Sequence, residues 1–156
     1  MDLFEAIDKR HCCRKFDPSK KIDDKIINQL IDVANKAPSA GAIYPTRFAI
    51  FKDSDREKLK GIIPERFTWF WDAPIVIVVW TDAAESVKRW GEKAKRLFVV
   101  QDGAAAIENI FLKTVELGLG MCWVGIFDDE KLSKLLNLSG EQFPMAVLPI
   151  GYKKDE

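Results

Sequence analysis

The sequence predicts an α+β domain in which helices flank a mixed or antiparallel sheet of about four strands around one long, buried helix. Three observations predict this fold class. Residues 97–118 repeat apolar side chains at steps of three and four, the period of a helix that is buried on most sides. The run Pro74–Trp80, PIVIVVW, is typical of a central strand that is buried on both faces. Shorter apolar runs near 48–51, 121–125 and 145–150 add three strands between helical segments.

Length and charge limit the classes of protein that the chain can belong to. A chain of 156 residues is long enough for a single domain, 1–156, with its own core. The formal net charge of +0 gives no electrostatic reason to expect a nucleic acid or an acidic membrane as a partner. No run approaches the roughly 18 apolar residues of a membrane span. The odd number of cysteines favours a reducing compartment, so we expect a cytoplasmic protein with no nucleic-acid or membrane partner.

The N-terminal region is predicted to contain two helices separated by basic residues. Leu3, Phe4 and Ile7 give the first, short amphipathic helix. Five basic residues follow within positions 9–15, which is more than are needed to interact with the C-terminal end of the helix dipole. They are Lys9, Arg10, His11, Arg14 and Lys15. Asp23 is typical of an N-cap, and the helix that it begins stops before Ala37-Pro38.

The segment 38–45, PSAGAIYP, is predicted to be a loop because it consists of small and turn-forming residues. Backbone can approach a ligand there, although the segment can equally be a plain connection into the next strand. A short helix begins at Asp53 or Ser54, and residues 62–71 are predicted to be irregular. Four aromatic residues in this stretch either fill a core or a subunit interface, which the composition favours, or wall a pocket for a flat ligand: Phe67, Trp69, Phe70 and Trp71.

The second half of the chain is predicted to alternate helices and strands. Ala83–Arg96 is a polar helix, and the long helix after it carries a narrow polar stripe: Asp102, Asn109, Lys113 and Glu116. Gly118 and Gly120 predict a left-handed helix stop and a sharp exit. The strand that follows ends at Gly125, where the backbone can meet a ligand closely. Asp128 caps one more short helix before the last strand.

Motifs for several familiar chemistries do not occur in the sequence. There is no GxxxxGK[ST] phosphate loop, and Gly118-x-Gly120 lacks the third glycine of a dinucleotide fingerprint. His11 is the one histidine, without a GxSxG elbow or a CxxC pair, so neither a hydrolytic nor a metal site is expected. The basic cluster, the small-residue loop and the glycine-bounded strand end can together hold the phosphate and the flat ring of a cofactor, which then carries the reaction.

Four motifs follow one another along nearly the whole chain. They are RHCCRKF at 10–16, APSAGAIYP at 37–45, a helix followed by GLGMCWVG within 102–125, and Gly-Tyr at 151–152. In this order they resemble the nitroreductase family of FMN-dependent oxidoreductases. The counterparts in that family are Arg-Arg/His-Ser-x-Arg/Lys-x-Phe, Pro-Ser-x-x-Asn-x-Gln-Pro-Trp, a central helix with Gly-Leu-Gly-x-x-Trp-x-Gly, and Ile-Gly-Tyr.

The resemblance implies a nitroreductase-like three-layer fold and a homodimer with FMN bound non-covalently at its interface. It also implies a ping-pong reaction in which NADH or NADPH reduces the flavin before a flat acceptor, such as a quinone or a nitroaromatic, removes the electrons. No side chain is implied as a catalytic acid or base. The residues implied to hold the FMN phosphate and ribityl chain are Arg10, His11, Cys12, Arg14 and, near the end of the chain, Lys153. Those implied to line the ring are Pro38, Ser39, Ala40, Gly41, Ala42 and Tyr44, with the main chain of Cys122, Trp123, Val124 and Gly125 at its reactive edge.

The chain departs from the family pattern at several of these positions. Cys12 stands where serine is usual, which weakens the hydrogen bond to the cofactor. Ala42 and Tyr44 replace the asparagine and the glutamine of the loop, and Thr46 replaces its tryptophan. These departures leave two alternatives open: a flavin-binding or regulatory module with little turnover, and a flavin oxidase or dehydrogenase that acts on a peptide or a small metabolite.

Overall fold

Four antiparallel strands form the middle layer of the protein, whose computed structural model describes residues 1–154. They are β1 (Thr46–Lys52), β2 (Ile75–Asp82), β3 (Leu119–Met121) and β4 (Gln142–Tyr152). Their order in the sheet is β1-β2-β4-β3, and each neighbouring pair is antiparallel. The predicted sheet is therefore confirmed in its antiparallel form.

The alternation of side chains along β2 explains the two outer layers. Ile75, Ile77 and Val79 face one core, together with the helices α2 (Asp24–Ala34) and α4 (Val99–Glu116). The intervening residues of β2 face a second core on the other side of the sheet. This core also includes the aromatic segment, residues 67–71, and α5 (Asp129–Leu135). Every residue from Ile75 to Val79 is at most 1% exposed, so the prediction of a strand buried on both faces is confirmed.

Two of the predicted helix caps are present as hydrogen bonds. The Asp23 carboxylate accepts from the backbone N–H of Ile26 at 2.9 Å, and Asp128 accepts from Lys131 at 3.0 Å. The first helix, α1, covers Leu3–Lys9. The N-caps of α2 and α5 can be predicted from sequence because the capping side chain and its N–H partner are three residues apart.

The polar helix predicted over Ala83–Arg96 is wrong in its extent. The helix α3 covers Ala84–Trp90 and ends at Gly91, whose φ of 70° is in the left-handed region. A short π-helical turn, Ala94–Phe98, then leads into α4. The helix is broken at Gly91, and the π turn leads into the N-terminal end of α4. This connection is therefore an irregular part of the fold.

The strand predicted over 121–125 is also wrong in its bounds. β3 ends at Met121, and beyond it Val124 alone forms an isolated bridge, to Val147. The Cys122 N–H still donates to the Pro149 carbonyl at 3.3 Å. Proline has no N–H to donate in return, so the ladder is interrupted there.

The segment between β1 and β2 contains two short 3-10 turns, Asp53–Leu59 and Thr68–Asp72. The first replaces the predicted short helix, and the second gives the aromatic stretch more order than predicted. Phe70 is fully buried, while Phe67, Trp69 and Trp71 are half-buried against the second core. Within residues 1–154, no helix is both long and apolar enough to cross a membrane, and no three metal-ligating side chains are grouped together.

Candidate cofactor site

The basic segment, Arg10–Arg14, runs beside β3. Cys12 pairs with Met121 in a parallel bridge, and the Cys13 N–H donates to the Met121 carbonyl at 2.8 Å. The approach is close enough that a Cβ at Gly120 would lie 2.6 Å from the Cys13 Sγ. Glycine at position 120 therefore lets the basic segment pack directly on the strand.

Two arginines of the basic segment stack on aromatic rings. The Arg10 guanidinium lies 5.1 Å from the centre of the Phe111 ring on α4, and that of Arg14 lies 5.8 Å from the Trp69 ring. Arg10 also has its Nε 3.5 Å from a carboxylate oxygen of Glu108. These contacts fix two cations at a partly exposed surface, which suits the binding of an anionic group.

His11 and Lys153 lie next to this segment. The His11 ring is folded back so that its Nδ1 is 2.9 Å from the Lys9 carbonyl oxygen at the end of α1. Lys153 forms a bridge with Phe16, and its Cγ lies 3.2 Å from the position of a Cβ at Gly120. Both residues therefore lie beside the basic segment.

Residues 122–125 form an extended edge along β4. The N–H groups of Cys122 and Val124 donate to the Pro149 and Val147 carbonyls at 3.3 and 3.0 Å. Since N–H groups alternate in direction along an extended chain, those of Trp123 and Gly125 point away from β4. A cavity of about 160 Å³ adjoins this edge and is lined by Arg14, Phe67, Trp69, Cys122, Trp123, Val124, Gly125 and Ile126. Part of the aromatic segment thus belongs to the second core and part of it walls a pocket.

The small-residue loop is held by a buried carboxylate on α4. Asp102 accepts hydrogen bonds from the Ser39 hydroxyl at 2.7 Å and from the Ala40 N–H at 3.1 Å. The Ser39 Oγ in turn accepts from the Tyr44 N–H at 2.9 Å. The sequence predicts Asp102 on a polar stripe of the helix, whereas it is 9% exposed and connects α4 to the loop.

The loop conformation is strained and closely packed. Gly41, Ala42 and Tyr44 have φ values of 58°, 56° and 54°, in the left-handed region that side chains disfavour. A Cβ at Gly41 would lie 2.3 Å from the Trp90 ring of α3. The Arg89 guanidinium donates to the Gly41 carbonyl at 3.4 Å, so α3 supports the loop in addition to Asp102.

The structure separates the predicted site residues into two groups. The β3 group consists of Arg10, His11, Cys12, Arg14, Cys122, Trp123, Val124, Gly125 and Lys153. The loop group consists of Pro38, Ser39, Ala40, Gly41, Ala42 and Tyr44. The first group contacts α4 at Phe111 and Glu108 and the second at Asp102, so six to nine residues of helix, roughly 9–13 Å, separate the contacts. Within residues 1–154, no hydrogen bond or ion pair joins the two groups.

Comparison with known proteins shows which family the chain belongs to. The family model described as Nitroreductase family matches residues 7–68 and 61–152. The chain belongs to the nitroreductase family. A relative from Methanothermobacter thermautotrophicus, provisionally named NADH dehydrogenase/NAD(P)H nitroreductase, is 31% identical and aligns over 97% of this chain and 78% of its own.

Solved structures share the nitroreductase fold. The crystal structure of a nitroreductase family protein from Clostridium novyi NT is 28% identical, covers 99% of this chain and 87% of its own, and has a TM-score of 0.86. An FMN-dependent nitroreductase from Clostridium difficile R20291 is 23% identical, covers 99% of this chain and 89% of its own, and has a TM-score of 0.78. The second likeness shows the fold alone.

The candidate site includes residues that the sequence analysis does not assign to it. Asp102 and Trp90 shape the loop group, and Phe111 and Glu108 hold Arg10. The one feature of the sequence that points to Asp102 is its position as an acidic residue within a mostly apolar helix. Trp90, Phe111 and Glu108 gave no such signal, because an aromatic or an acid on a helix commonly serves packing or solvation.

Proposed function

We propose that this nitroreductase-family chain is an FMN-dependent oxidoreductase that takes hydride from NADH or NADPH and passes electrons to a flat acceptor, such as a quinone or a nitroaromatic, in a ping-pong reaction. The observation that carries the proposal is the chemistry of the two groups, which together offer what the phosphate and the ring of FMN require. The first group offers cations and an open edge of N–H groups. The second offers a backbone nearly free of bulky side chains.

The β3 group fits the phosphate end of FMN. Arg10 and Arg14 present guanidinium donors beside exposed Cys12, and a dianionic phosphate accepts such donors in pairs. Stacking on Phe111 and Trp69 holds both guanidinium groups before a ligand arrives, which lowers the entropy lost on binding.

The edge at 122–125 and the loop group fit the flavin ring. Bound FMN supplies the redox chemistry, because its ring accepts a hydride and later gives up two electrons. The N–H groups of Trp123 and Gly125 are directed away from β4, where they can donate to the ring and influence its electron affinity. The backbone of Ala40–Ala42 is fixed by Asp102 and can cover the ring closely, which orients it and excludes water.

A second copy of the chain completes the proposed site. The two groups lie on different parts of α4, so a loop group from one subunit can meet the β3 group of another. The helix α1 presents an unpartnered apolar face for such an interface: Leu3, Phe4 and Ile7 are 64%, 79% and 47% exposed. A groove of about 380 Å³ lies beside it, between α1, α2 and α4. We further propose a cytoplasmic location, since the three cysteines are free thiols.

The first experiment is a visible absorption spectrum of the purified protein, followed by NADH and then NADPH without oxygen. We expect a flavin spectrum that bleaches with one of the two donors and recovers when a quinone is added. A protein that stays colourless and gains no flavin absorbance on mixing with FMN contradicts the proposal.

A second candidate function is a flavin-binding or regulatory module with little turnover. The observation that favours it is the loop group itself, since Ala40, Gly41 and Ala42 offer no polar side chain to the ring. Rapid oxidation of NADH or NADPH with a quinone rejects this alternative, whereas bound flavin without turnover supports it. A flavin oxidase or dehydrogenase acting on a peptide or a small metabolite is distinguished by oxidation of the substrate without any nicotinamide.

A further inference from the structure

Residues 84–98, the connection that contains α3 and the π turn, concentrate positive charge in a chain that is neutral as a whole. Two acids in this connection are outnumbered by five bases, which are Lys88, Arg89, Lys93, Lys95 and Arg96. Lys95 pairs with Glu141 at 2.6 Å. Within residues 1–154, the other four bases form no ion pair, although many lysines elsewhere do. Unpaired cations that lie close together favour an anionic ligand.

Arg89 joins this basic connection to the loop group. Its guanidinium donates to the Gly41 carbonyl at 3.4 Å and lies 4.9 Å from the centre of the Trp90 ring. The Trp90 ring in turn packs edge-on against Phe98, with 5.8 Å between the ring centres. These contacts hold Arg89 in place while it remains exposed. A guanidinium has five N–H donors, so those that the loop carbonyl does not use are available to an anion.

An open hollow of about 620 Å³ adjoins the exposed side of α3, and we call it the basic hollow. It is lined by Ala84, Glu85, Lys88 and Arg89. Its volume falls within the range of about 300–1,000 Å³ that is typical of small-molecule sites. Lys88 and Arg89 follow Glu85 by one helical turn, so their two positive charges outweigh its negative charge. Because Arg89 both lines the basic hollow and contacts Gly41, the hollow begins beside the loop group.

We propose that Lys88 and Arg89 bind the phosphate groups of the hydride donor and make NADPH preferred over NADH, an inference that rests on the proposed function. Hydride transfer requires contact between the nicotinamide and the flavin ring. The phosphate groups of the donor therefore lie beyond the edge of that ring. The loop group, which the proposed function places along the ring, meets Arg89 at Gly41. The basic hollow is thus the cationic surface that adjoins the proposed position of the donor.

The charge of the connection favours NADPH because the two donors differ only in a 2′-phosphate. This group adds almost two negative charges to the adenosine end, and a nearby arginine is a common partner for it in dinucleotide sites. An acid that accepts from the 2′-hydroxyl favours NADH instead. In the basic hollow the one acid, Glu85, is outnumbered by Lys88 and Arg89. The reaction itself is unchanged, since NADPH gives its hydride to the flavin and leaves as NADP⁺.

The first test measures binding without any reaction. Isothermal titration calorimetry of the purified full-length protein compares 2′,5′-ADP with 5′-AMP, two adenosine ligands that differ only in the 2′-phosphate. We expect 2′,5′-ADP to bind about tenfold more tightly, the scale of one charged hydrogen bond. This advantage should shrink as the salt concentration rises, because salt screens exposed charges. Equal affinities for the two ligands at low salt overturn the inference.

The second test compares kcat/KM for NADPH and NADH with a quinone as acceptor. We expect the wild-type protein to prefer NADPH about tenfold, and Lys88→Ala to lower this preference to about twofold while Lys88→Arg keeps it. Lys88 is exposed, so its replacement should leave the fold intact. Lys134→Ala is the matched control, because Lys134 is also an exposed lysine in the last turn of a seven-residue helix, α5. It should keep the preference of the wild type.

The outcomes separate the basic hollow from the proposed function. Equal kcat/KM values for the two donors in the wild-type protein, or a preference that survives in Lys88→Ala, overturn the inference. A loss of preference in Lys134→Ala as large as that in Lys88→Ala overturns it as well, since the effect is then one of net charge alone. If neither donor reduces the flavin, the proposed function fails. The affinity for 2′,5′-ADP relative to 5′-AMP then decides by itself whether the basic hollow binds a 2′-phosphate.

Discussion

The basic segment and the loop group are held in place by different kinds of contact. The basic segment is held mainly through its backbone, by a bridge to Met121 and by the absence of a side chain at Gly120. The loop is held through one buried carboxylate, Asp102, which accepts from Ser39 and Ala40. Backbone pairing spreads the attachment of the basic segment over several main-chain contacts, whereas the loop depends on side chains, above all on the Asp102 carboxylate. A point substitution should therefore damage the loop more than the basic segment.

The largest effect on stability is expected from Asp102→Ala. Removal of the carboxylate leaves the Ser39 hydroxyl and the Ala40 N–H without their acceptor, and we expect the free energy of unfolding to fall by about 2–3 kcal/mol. Urea denaturation measures this loss, and hydrogen exchange should show faster exchange across residues 38–44. The Asp102→Asn variant keeps one acceptor oxygen, so its free energy of unfolding should lie between those of Asp102→Ala and the wild type.

Glu116→Ala is the matched control for this prediction. Glu116 is an exposed acid on the same helix that pairs with Lys113, and such surface pairs contribute about 0.5 kcal/mol. An Asp102→Ala protein no less stable than Glu116→Ala would show that the carboxylate does not hold the loop.

The next largest effect concerns the β3 group and FMN. Arg10→Ala should weaken FMN binding by about 2 kcal/mol, roughly thirtyfold, because a charged hydrogen bond to the phosphate is lost while the backbone pairing remains. Flavin fluorescence titration measures the dissociation constant, and the unfolding curve should change little. Lys9→Ala removes a neighbouring cation that pairs with Glu5, and it should leave FMN affinity within about twofold. Equal affinities of the two variants would contradict a phosphate role for Arg10.

A smaller effect is expected from a side chain inserted between the basic segment and β3. A Cβ at position 120 would lie 2.6 Å from the Cys13 Sγ, so Gly120→Ala should cost about 1–2 kcal/mol of unfolding free energy. Gly125→Ala is the control, since nothing lies within 4 Å of a Cβ there. Thermal or urea unfolding compares the two, and equal stability would mean that the segment can move aside without cost.

The smallest effect is expected in the pH dependence of the free energy of unfolding, through Asp82 at the end of β2. Hydrogen bonds to its carboxylate, from the Gln142 side chain first and the Ala84 N–H second, lower the pKa of Asp82 below its usual 3.8. A group whose pKa is lower in the folded state stabilises the fold fully above its unfolded pKa, and this stabilisation is lost as the pH falls through the folded pKa. In Asp82→Asn, urea unfolding at pH values from about 5 to 2 should therefore show a shallower decline in stability than in the wild type. Parallel curves for the two proteins would exclude Asp82 as a contributor.

Much of the fold could be predicted because its signals are local. The apolar steps of α4, the β-branched run of β2 and the caps at Asp23 and Asp128 each involve residues within one or two turns of one another. The bounds of β3 could not be predicted, because its ladder is interrupted opposite Pro149, a residue of a different strand. The end of α3 at Gly91 cannot be predicted from the local sequence, because a glycine within a polar run is compatible with both a helix and a break.

The sequence by itself determined the class of fold, the family resemblance and the residue types offered to a cofactor, because these follow from periodicity and from the order of short motifs. Only the tertiary structure decided that these residues form two separate groups and that Asp102 holds one of them. Ser39 and Asp102 are 63 positions apart, and so their hydrogen bond exists only once α4 has packed beside the loop. Contacts of this kind depend on where the folded chain brings distant residues, which the local pattern around either residue does not record.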